Sequence, residues 1–233
     1  MTLLTIDTAT KVCSAALLQD DVVIAHRFHN EDVNHARLLP LFIEDLFAEA
    51  RQRHLHIDAV ALSDGPGSYT GLRIGCSTAK GICYALDIPL IPIHTTEVLC
   101  ASLLKQHEVE KDAVLCPMID ARRMEVYTAM YTPTLQPLTD IHAEIVSDAD
   151  TFFRHVSGKK IYCFGDGASK CSDVFAPAGG VCIVPAIEPD AAAMSAVALR
   201  HAEGAVRGKE IAYYEPFYLK DFVAAPSHVK GLE

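Results

Sequence analysis

Residues Ser63-Asp-Gly-Pro-Gly-Ser-Tyr-Thr-Gly-Leu-Arg-Ile-Gly-Cys-Ser-Thr-Ala-Lys-Gly-Ile-Cys-Tyr-Ala-Leu86 decide the fold, because they join the end of a strand, a glycine loop and a helix. An apolar run over 59–62 predicts a buried strand immediately before the loop. The loop Gly65-Pro-Gly67 ends that strand, since glycine permits positive φ and proline fixes φ while lacking an N–H donor. Ser68 or Thr70 can then cap a helix, which no proline interrupts before the stretch ends.

Small side chains recur along this helix at every fourth position. Glycine in a helix costs about 1 kcal/mol relative to alanine, and close approach of another backbone is the usual compensation. A second, neighbouring face is also small, so we expect the helix to be packed closely on two sides. The first face comprises Gly71, Gly75, Ala79 and Cys83, and the second Ser77, Gly81 and Ala85.

A glycine loop at a helix N-terminus is also a common anion site, since free N–H groups and the helix dipole point at the ligand. The spacing here matches neither G-x-G-x-x-G nor G-x-x-x-x-G-K-[ST]. The residues therefore favour a tight strand-to-helix turn, with a phosphate cradle as the alternative.

Composition narrows the class of protein. At 233 residues, 50% of them hydrophobic, the chain can bury one large core or two modest lobes. Its formal charge of −10 disfavours an autonomous nucleic-acid binder. The sequence enters a strand near Leu3 without a basic region and has no long apolar run, so we expect a cytoplasmic protein without a membrane partner. Its eight cysteines form no C-x-x-C pair, which predicts reduced, buried thiols and no metal site.

The first residues read as a three-stranded meander over 3–8, 13–18 and 22–28. Asp7 lies at the carboxyl end of the first strand, where α/β folds place ligands. It could hold a hydrated metal ion or orient a phosphate, and it could equally cap the following turn through its side chain.

A helix over 36–53 follows the polar loop 30–34 and carries a wide apolar band. Leu38, Leu41 and Phe42 cannot point in the direction of the stripe that contains Leu39 and Ile43. Such a helix is either sandwiched within the fold or offers a surface to a partner.

The second half repeats the order of the first. After an edge strand over 89–94 and a helix over 95–104, a boundary at 109–112 separates lobes 1–108 and 109–233. The order strand, Asp, turn, hairpin, helix, strand, glycine loop and helix then recurs, which indicates a duplication. Its predicted strands are at 113–119, 125–131, 138–145 and 160–164, and its predicted helices are at 148–156 and 168–175. Asp120 ends the first of these strands, and the loop Gly165-Asp-Gly167 follows the last of them.

The chain ends with two further predicted features. Asp190 caps a long helix that runs through residue 207, and residues 213–222 are rich in aromatic side chains. An aromatic segment of this kind is expected to be pinned to the rest of the molecule.

Two lobes of βββαβα order resemble the actin-like ATPase superfamily, an α/β, ribonuclease H-like fold with duplicated units. Several motifs are similar to those of the bacterial TsaB (YeaZ) family. They are Ile6-Asp-Thr-Ala-Thr10, Cys13-Ser-Ala-Ala-Leu17, Asn34-His35, Leu39-Pro40, Gly65-Pro-Gly-Ser-Tyr-Thr-Gly-Leu-Arg-Ile-Gly75 and Pro216-Phe-Tyr-Leu-Lys-Asp221.

This resemblance implies a non-catalytic subunit with no catalytic residue of its own. Its partner would be a TsaD-like paralogue, which transfers a threonylcarbamoyl group to the adenosine beside the anticodon of tRNAs that read ANN codons. A TsaE-like ATPase would join them, ATP and a metal would bind partner subunits, tRNA would be reached only through the complex, and the chain alone would form a homodimer. The implied partner-binding residues are Leu38, Leu41, Phe42, Asp45, Gly71, Ile74, Gly75, Thr78, Ala79 and Ile82.

The same resemblance shows where catalytic features are missing. The catalytic paralogue carries a metal-binding H-x-x-x-H after I-P-[VI]-H, and here Thr95 and Leu99 stand at the two ligand positions. A hydroxyl and an isobutyl group do not replace imidazole, so His94 is expected to be structural. Ala9 occupies a position where actin-like ATPases usually have glycine, and its methyl group would crowd a phosphate.

The alternative is a small ATPase, in which Asp7 holds Mg²⁺, Asp120 is a second carboxylate and the glycine loops contact phosphate. A peptidase is the weakest hypothesis, since H-E-x-x-H and G-x-S-x-G are both missing. The nucleotide-binding candidates of the ATPase hypothesis are Asp7, Thr8, Thr10, Gly65 and Gly67.

Overall fold

The computed structural model describes residues 1–31, 34–154, 156 and 158–220. Parts of the predicted loop 30–34 and helix 148–156 lie outside the described residues, as do Asp221 and Phe222 of the aromatic segment.

The first half of the chain forms a five-stranded sheet of order β3-β2-β1-β4-β5. The first three strands pair antiparallel, and β4 and β5 continue the sheet in parallel from β1. This confirms the predicted meander, and β5 lies at the edge, where Pro92 is tolerated. The strands are β1 Thr2–Asp7, β2 Cys13–Gln19, β3 Val22–His29, β4 Ala59–Gly65 and β5 Leu90–His94.

Three helices cover the two faces of this sheet. Helices α1, His35–Gln52, and α2, Tyr69–Leu86, bury apolar residues against one face, with Leu4 and Ile6 of β1 between them. Helix α3, Thr95–Gln106, packs on the other face in a core shared with the second half of the chain. Adjacent residues of β1 point to opposite faces and feed both cores, which explains why the whole strand is buried.

The second half forms another five-stranded sheet, of order β10-β9-β6-β7-β8. Read from the opposite edge, this is the order of the first sheet, so the predicted duplication and the two-lobed α/β fold are confirmed. Strand β10 was not predicted. It follows Gly180, whose backbone has a positive φ of +86°. The elements are β6 Val114–Asp120, β7 Glu125–Thr128, β8 His142–Ile145, α4 Ala149–Phe152, β9 Ile161–Phe164, α5 Ser172–Phe175 and β10 Val181–Val184.

The prediction of one long helix from Asp190 to residue 207 is wrong. The segment is a 3₁₀ turn over Ala191–Met194, the short helix α6 Ser195–Ala198 and a second 3₁₀ turn over Leu199–Gly204. Side chains compete for its backbone, because Thr5 donates to the carbonyl of Ala191 at 2.8 Å. Lys105 donates to the next carbonyl, that of Ala192, at 3.2 Å. The predicted Asp190 cap is present, with Oδ1 accepting from the Ala192 N–H at 2.8 Å.

The end of the described chain returns to the first sheet. Val206 forms two backbone hydrogen bonds with Leu90 of β5, and Ile211 of helix α7, Glu210–Tyr213, enters the core beneath α2. Lys80 of α2 donates to the carbonyls of Ala212 and Tyr214, each at 2.8 Å. The division at 109–112 stays a prediction, but residues 191–220 contact the lobe that precedes it.

All eight cysteines are free, and seven of them are buried, as predicted for reduced thiols. Burial raises the pKa of Cys13 and of Cys83 to about 12. Among the described helices, none is both long and apolar enough to cross a membrane.

Candidate functional site

The glycine loop before α2 packs directly against the turn that follows β1. A Cβ atom on Gly67 would lie 2.2 Å from the carbonyl oxygen of Ala9, and one on Gly71 would lie 2.1 Å from that of Thr8. Ser68 caps α2 as predicted, but its own N–H donates to the Ala9 carbonyl at 2.6 Å. The two loops are therefore joined by a backbone hydrogen bond, and the N–H groups of Ser68 and Gly71 are engaged within the chain.

Asp7 is fully buried beneath this contact. Its Oδ1 accepts the Ala9 N–H at 3.1 Å, and its Oδ2 has no hydrogen-bond partner among the described residues. Burial raises the pKa of Asp7 to about 7, against the lowering effect of hydrogen bonds from Ser63 and Ala9. The neutral form of the carboxyl is thus favoured below about pH 7. The turn cap, one of the two roles predicted for Asp7, is present.

A cavity of about 610 Å³ lies between the two lobes, and we call it the cleft. Of the predicted nucleotide-binding residues, Thr10 and Gly67 line it, whereas Asp7, Thr8 and Gly65 do not. Thr8 is buried and donates to the Gly71 carbonyl at 2.7 Å. The structure brings these residues together at one end of the cavity, but most of them face protein.

The second lobe contributes its own acidic residues to the cleft. Asp120 ends β6, accepts the Arg122 N–H at 2.9 Å and forms an ion pair with Lys170. Asp166 of the second glycine loop accepts the Asp120 N–H at 2.8 Å, and burial raises the pKa of Asp166. Asp120 is thus a turn cap with a lysine partner. Sequence reasoning missed Asp166 and Lys170, because no spacing places them beside Asp120.

The aromatic segment is pinned along the cleft, as predicted for its described part. The Tyr214 hydroxyl donates to Asp64 at 2.8 Å, and the Phe217 N–H donates to the Asp64 carbonyl at 2.9 Å. Tyr218 accepts from Arg73 of α2 at 3.2 Å. Lys220 pairs with Glu125 of β7, so residues 214–220 connect the first lobe to the second.

The outer faces of α1 and α2 carry side chains that are not buried in the chain. Leu41 is 52% exposed, and Asp45 pairs with Arg27 at an exposed position. The other members are half-buried and flank the core beneath the two helices. We name this surface the outer helical face and define it as Leu38, Leu41, Phe42, Asp45, Ile74, Thr78 and Ile82.

Three predicted partner-binding residues lie elsewhere. Gly71, Gly75 and Ala79 are buried on the opposite face of α2, where a Cβ on Gly75 would lie 2.3 Å from the Thr8 hydroxyl. Close approach of another backbone, predicted for this face, is therefore confirmed, but the backbone is that of the turn after β1. Direct contact between these three residues and a partner is corrected to packing within the chain. The predicted close packing of the second small face is wrong for the described chain, because that face is exposed and a Cβ on Gly81 would meet no described atom within 4 Å.

Comparison with known proteins places the chain in a family. A family model described as TsaD, tRNA N6-adenosine threonylcarbamoyltransferase, matches residues 23–225. This chain belongs to the TsaD family. Within the family it is similar to proteins named TsaB, at 34–36% identity.

Two proteins named TsaB illustrate the sequence similarity of this chain to its relatives. The tRNA threonylcarbamoyladenosine biosynthesis protein TsaB of Bacillus subtilis is 36% identical over 132 residues, 56% of this chain and 55% of that protein. The protein of the same name from Escherichia coli is 34% identical over 131 residues, 56% of this chain and 55% of that protein. The chain spans about half the length of the curated relatives it matches.

Likeness to a solved structure extends over nearly the whole chain. YeaZ from Pseudomonas aeruginosa superposes with a TM-score of 0.76 and 24% identity, covering 94% of this chain and 99% of that one. This confirms the two-lobed fold expected from the resemblance.

The positions of the TsaD-type metal ligands lie in the core of this family member. Thr95 is buried and shares a hydrogen bond of 2.9 Å with Ser63, and Leu99 is buried in the core between the lobes. Among the residues that the structure describes, no group of three His, Cys, Asp or Glu side chains is placed to hold a metal ion.

His94 instead pairs with Asp64. Its Nδ1 donates to Asp64 Oδ1 at 3.0 Å, and this contact raises the pKa of His94. Asp64 thus accepts hydrogen bonds from His94 and Tyr214 at its carboxylate and from the Phe217 N–H at its carbonyl. Sequence reasoning missed Asp64, since its position after a strand is equally typical of a turn residue.

Proposed function

We propose that this chain is a non-catalytic subunit in the biosynthesis of threonylcarbamoyladenosine in tRNA. It pairs with a TsaD-like catalytic paralogue through the outer helical face and forms a homodimer through that face when alone. A TsaE-like ATPase joins the complex in the cytoplasm, ATP and a metal bind the partner subunits, and tRNA is contacted only through the assembly. The modified base is the adenosine beside the anticodon of tRNAs that read ANN codons.

The observation that carries this proposal is the wide apolar band of α1. Leu39, Ile43 and Leu46 fill the core beneath the sheet, yet Leu41 remains 52% exposed on the opposite side. Half-buried Ile74 and Ile82 extend the band onto α2. Contiguous exposed apolar area of this kind is typical of protein interfaces.

The closed loops support a role without nucleotide chemistry. A phosphate needs free N–H groups at a helix N-terminus, and here the Ser68 N–H is donated to Ala9. The backbone of Thr8 and Ala9 also lies directly against Gly67 and Gly71. This close packing supports a function in which no step passes through an ATP phosphate held between the two loops.

The test is size-exclusion chromatography with light scattering, on the chain alone and mixed with the TsaD-like paralogue of the same organism. Leu41→Asp and Thr78→Arg place charges on the outer helical face and should weaken the one-to-one complex at least 100-fold. Ile145→Asp is the matched control, because Ile145 is 68% exposed on β8 of the other lobe. Complexes of wild-type strength with both outer-face variants would refute the proposal.

One observation favours the alternative of a small ATPase. Asp7 Oδ2 is buried with no described partner, as a carboxylate awaiting a cation would be. If that is its role, purified protein should hydrolyse ATP in the presence of Mg²⁺, and Asp7→Asn should abolish the turnover. No nucleotide binding at millimolar ATP would eliminate this function and leave the subunit role intact.

A further inference from the structure

A second cavity of about 490 Å³ lies beside the cleft, separated from it by Phe217, which lines both. Its volume is within the range of sites for small organic molecules. Apolar side chains, including Leu135, Ile141 and Phe217, make up much of its wall, and a few polar groups converge on it. The residues of this cavity lie apart from the outer helical face.

His94 and His201 line this cavity, and each imidazole pairs with a largely buried carboxylate: Asp64, outside the lining, and Glu97, which is part of it. His94 donates to Asp64 at 3.0 Å, and His201 pairs with Glu97 at 2.7 Å. The carboxylate side chains are only 7% and 10% exposed, whereas the imidazoles are 42% and 34% exposed. Each ring therefore uses one nitrogen to satisfy a buried acid and keeps the other available at the cavity.

Arg200 adds a fixed cation at the rim. One of its guanidinium nitrogens donates to the Thr134 carbonyl at 2.9 Å, which holds the side chain beside the cavity that it lines. Asp64 raises the pKa of His94, and Glu97 adds to that effect, so His94 keeps its proton nearer to neutral pH. The available donors thus include the guanidinium of Arg200 and, when His94 is protonated, its second ring N–H.

We propose that this cavity binds a small carboxylic acid with an apolar body. The carboxylate would accept hydrogen bonds from His94 and Arg200, and the body would pack against Leu135, Ile141 and Phe217. Asp140 and Glu97 line the same cavity, and their carboxylates disfavour a ligand with two or more negative charges, such as a phosphate ester. A single negative charge on an apolar molecule fits these groups best.

Binding is tested with phenylacetate as the probe, on the full chain labelled at histidine Cε1 for NMR. The signals of His94 and His201, assigned through His→Asn variants, should shift saturably at millimolar phenylacetate or below. Phenylacetamide has the same shape without the charge, and inorganic phosphate has charge without the body. Both should bind at least 10-fold more weakly than phenylacetate.

Two variants probe the cavity, and a third variant serves as a control. Arg200→Gln removes an exposed cation without disturbing the core and should raise the Kd for phenylacetate at least 10-fold. Ile141→Trp fills the cavity and should abolish the shifts, with thermal unfolding measured to show that the variant is folded. Arg122→Gln changes the other cavity and should leave the Kd unchanged.

Three outcomes would overturn the proposal: no saturable shift, equal binding of the amide, or no effect of Arg200→Gln. Each of these results leaves the complex with the paralogue unaffected, because that complex is proposed to form on a different surface.

Discussion

Asp7 ends β1 in the first repeat and Asp120 ends β6 in the second, yet their carboxylates lie in opposite surroundings. Asp7 is fully buried with one oxygen unpartnered among the described residues, while the Asp120 side chain is 45% exposed and paired with Lys170. The pKa of Asp7 is raised to about 7 by burial. The same topological position therefore supports a neutral buried acid in one lobe and a solvated ion pair in the other.

Unlike the two aspartates, the glycine loops of the two repeats pack in similar ways. A Cβ on Gly67 would lie 2.2 Å from the Ala9 carbonyl oxygen, and one on Gly167 would lie 3.0 Å from that of Met118. Each loop thus closes on the end of the first strand of its own repeat. The repeats differ in the element after the loop, which is an 18-residue helix in the first and a single short turn before the four-residue α5 in the second. Only the first repeat gains an outer helical face.

The largest effect should come from breaking the loop contact of the first repeat. Gly71→Ala forces a methyl group to 2.1 Å from the Thr8 carbonyl oxygen, and we expect it to lower the free energy of unfolding by about 3 kcal/mol. Gly81→Ala is the matched control in the same helix. It adds a methyl group in open space and should stabilise the protein by up to about 1 kcal/mol. Urea denaturation measures both, and equal effects would refute the packing argument.

The buried acid of the first repeat should make stability depend on pH. Because burial raises the pKa of Asp7 from 3.8 to about 7, the folded state binds more protons than the unfolded state between these values. The contribution of Asp7 is then fully present below pH 4 and is lost as the pH rises through 7. Asp7→Asn should remove this dependence and stabilise the protein at pH 8 by about 2 kcal/mol relative to its effect at pH 5.

Denaturation of Asp7→Asn across pH 4 to 9 checks this prediction, with Asp120→Asn as the control from the other repeat. Parallel stability curves for wild type and Asp7→Asn would show that Asp7 is ionised when buried.

A smaller loss of folding free energy should follow when the aromatic segment is released from Asp64, next to the first glycine loop. Tyr214→Phe deletes the hydroxyl that donates to Asp64 at 2.8 Å, and a hydrogen bond to a buried charged group contributes about 1.5 kcal/mol. Tyr213→Phe is the control, since Tyr213 is 85% exposed. The two variants are compared by urea denaturation, and a loss of similar size in both would contradict the assigned contact.

The smallest effect belongs to the acid of the second repeat. Asp120→Asn breaks an exposed pair with Lys170, and such pairs contribute less than about 1 kcal/mol. We expect a loss of about 0.5 kcal/mol at low salt that vanishes at high ionic strength. A loss as large as that of Gly71→Ala would contradict the assignment of Asp120 and Lys170 as an exposed pair.

The fold could be predicted from the sequence because its signals are local and repeated. Alternating strands, the proline at the edge strand β5 and the glycine loop after each parallel strand all concern neighbouring residues. The break in the final helix could not be predicted, because it depends on Thr5 and Lys105 donating to carbonyls far along the chain. Strand β10 is as short as β9, which was predicted, but an apolar run of four residues does not distinguish strand from helix by its periodicity.

Only the local features of the candidate site could be predicted from the sequence. A stripe of small residues indicates that another backbone comes close, but it does not say which one. At Gly71 that backbone belongs to Thr8, whose side chain also contacts Gly75, whereas the residues open to a partner lie on the other side of α2. The pairing of Asp64 with His94 and Tyr214 joins three distant segments, and no spacing in the sequence reveals it.

The return of residues 191–214 to the first sheet has a consequence for synthesis on the ribosome. Ala191 hydrogen-bonds to Thr5 and Ser14, and Ile211 completes the core under α2. The first lobe therefore leaves the ribosome before the residues that close it have been translated. At about 5–20 residues per second, the nascent lobe waits on the order of ten seconds with part of its apolar surface uncovered. During that interval it is the part of the molecule most in need of a chaperone.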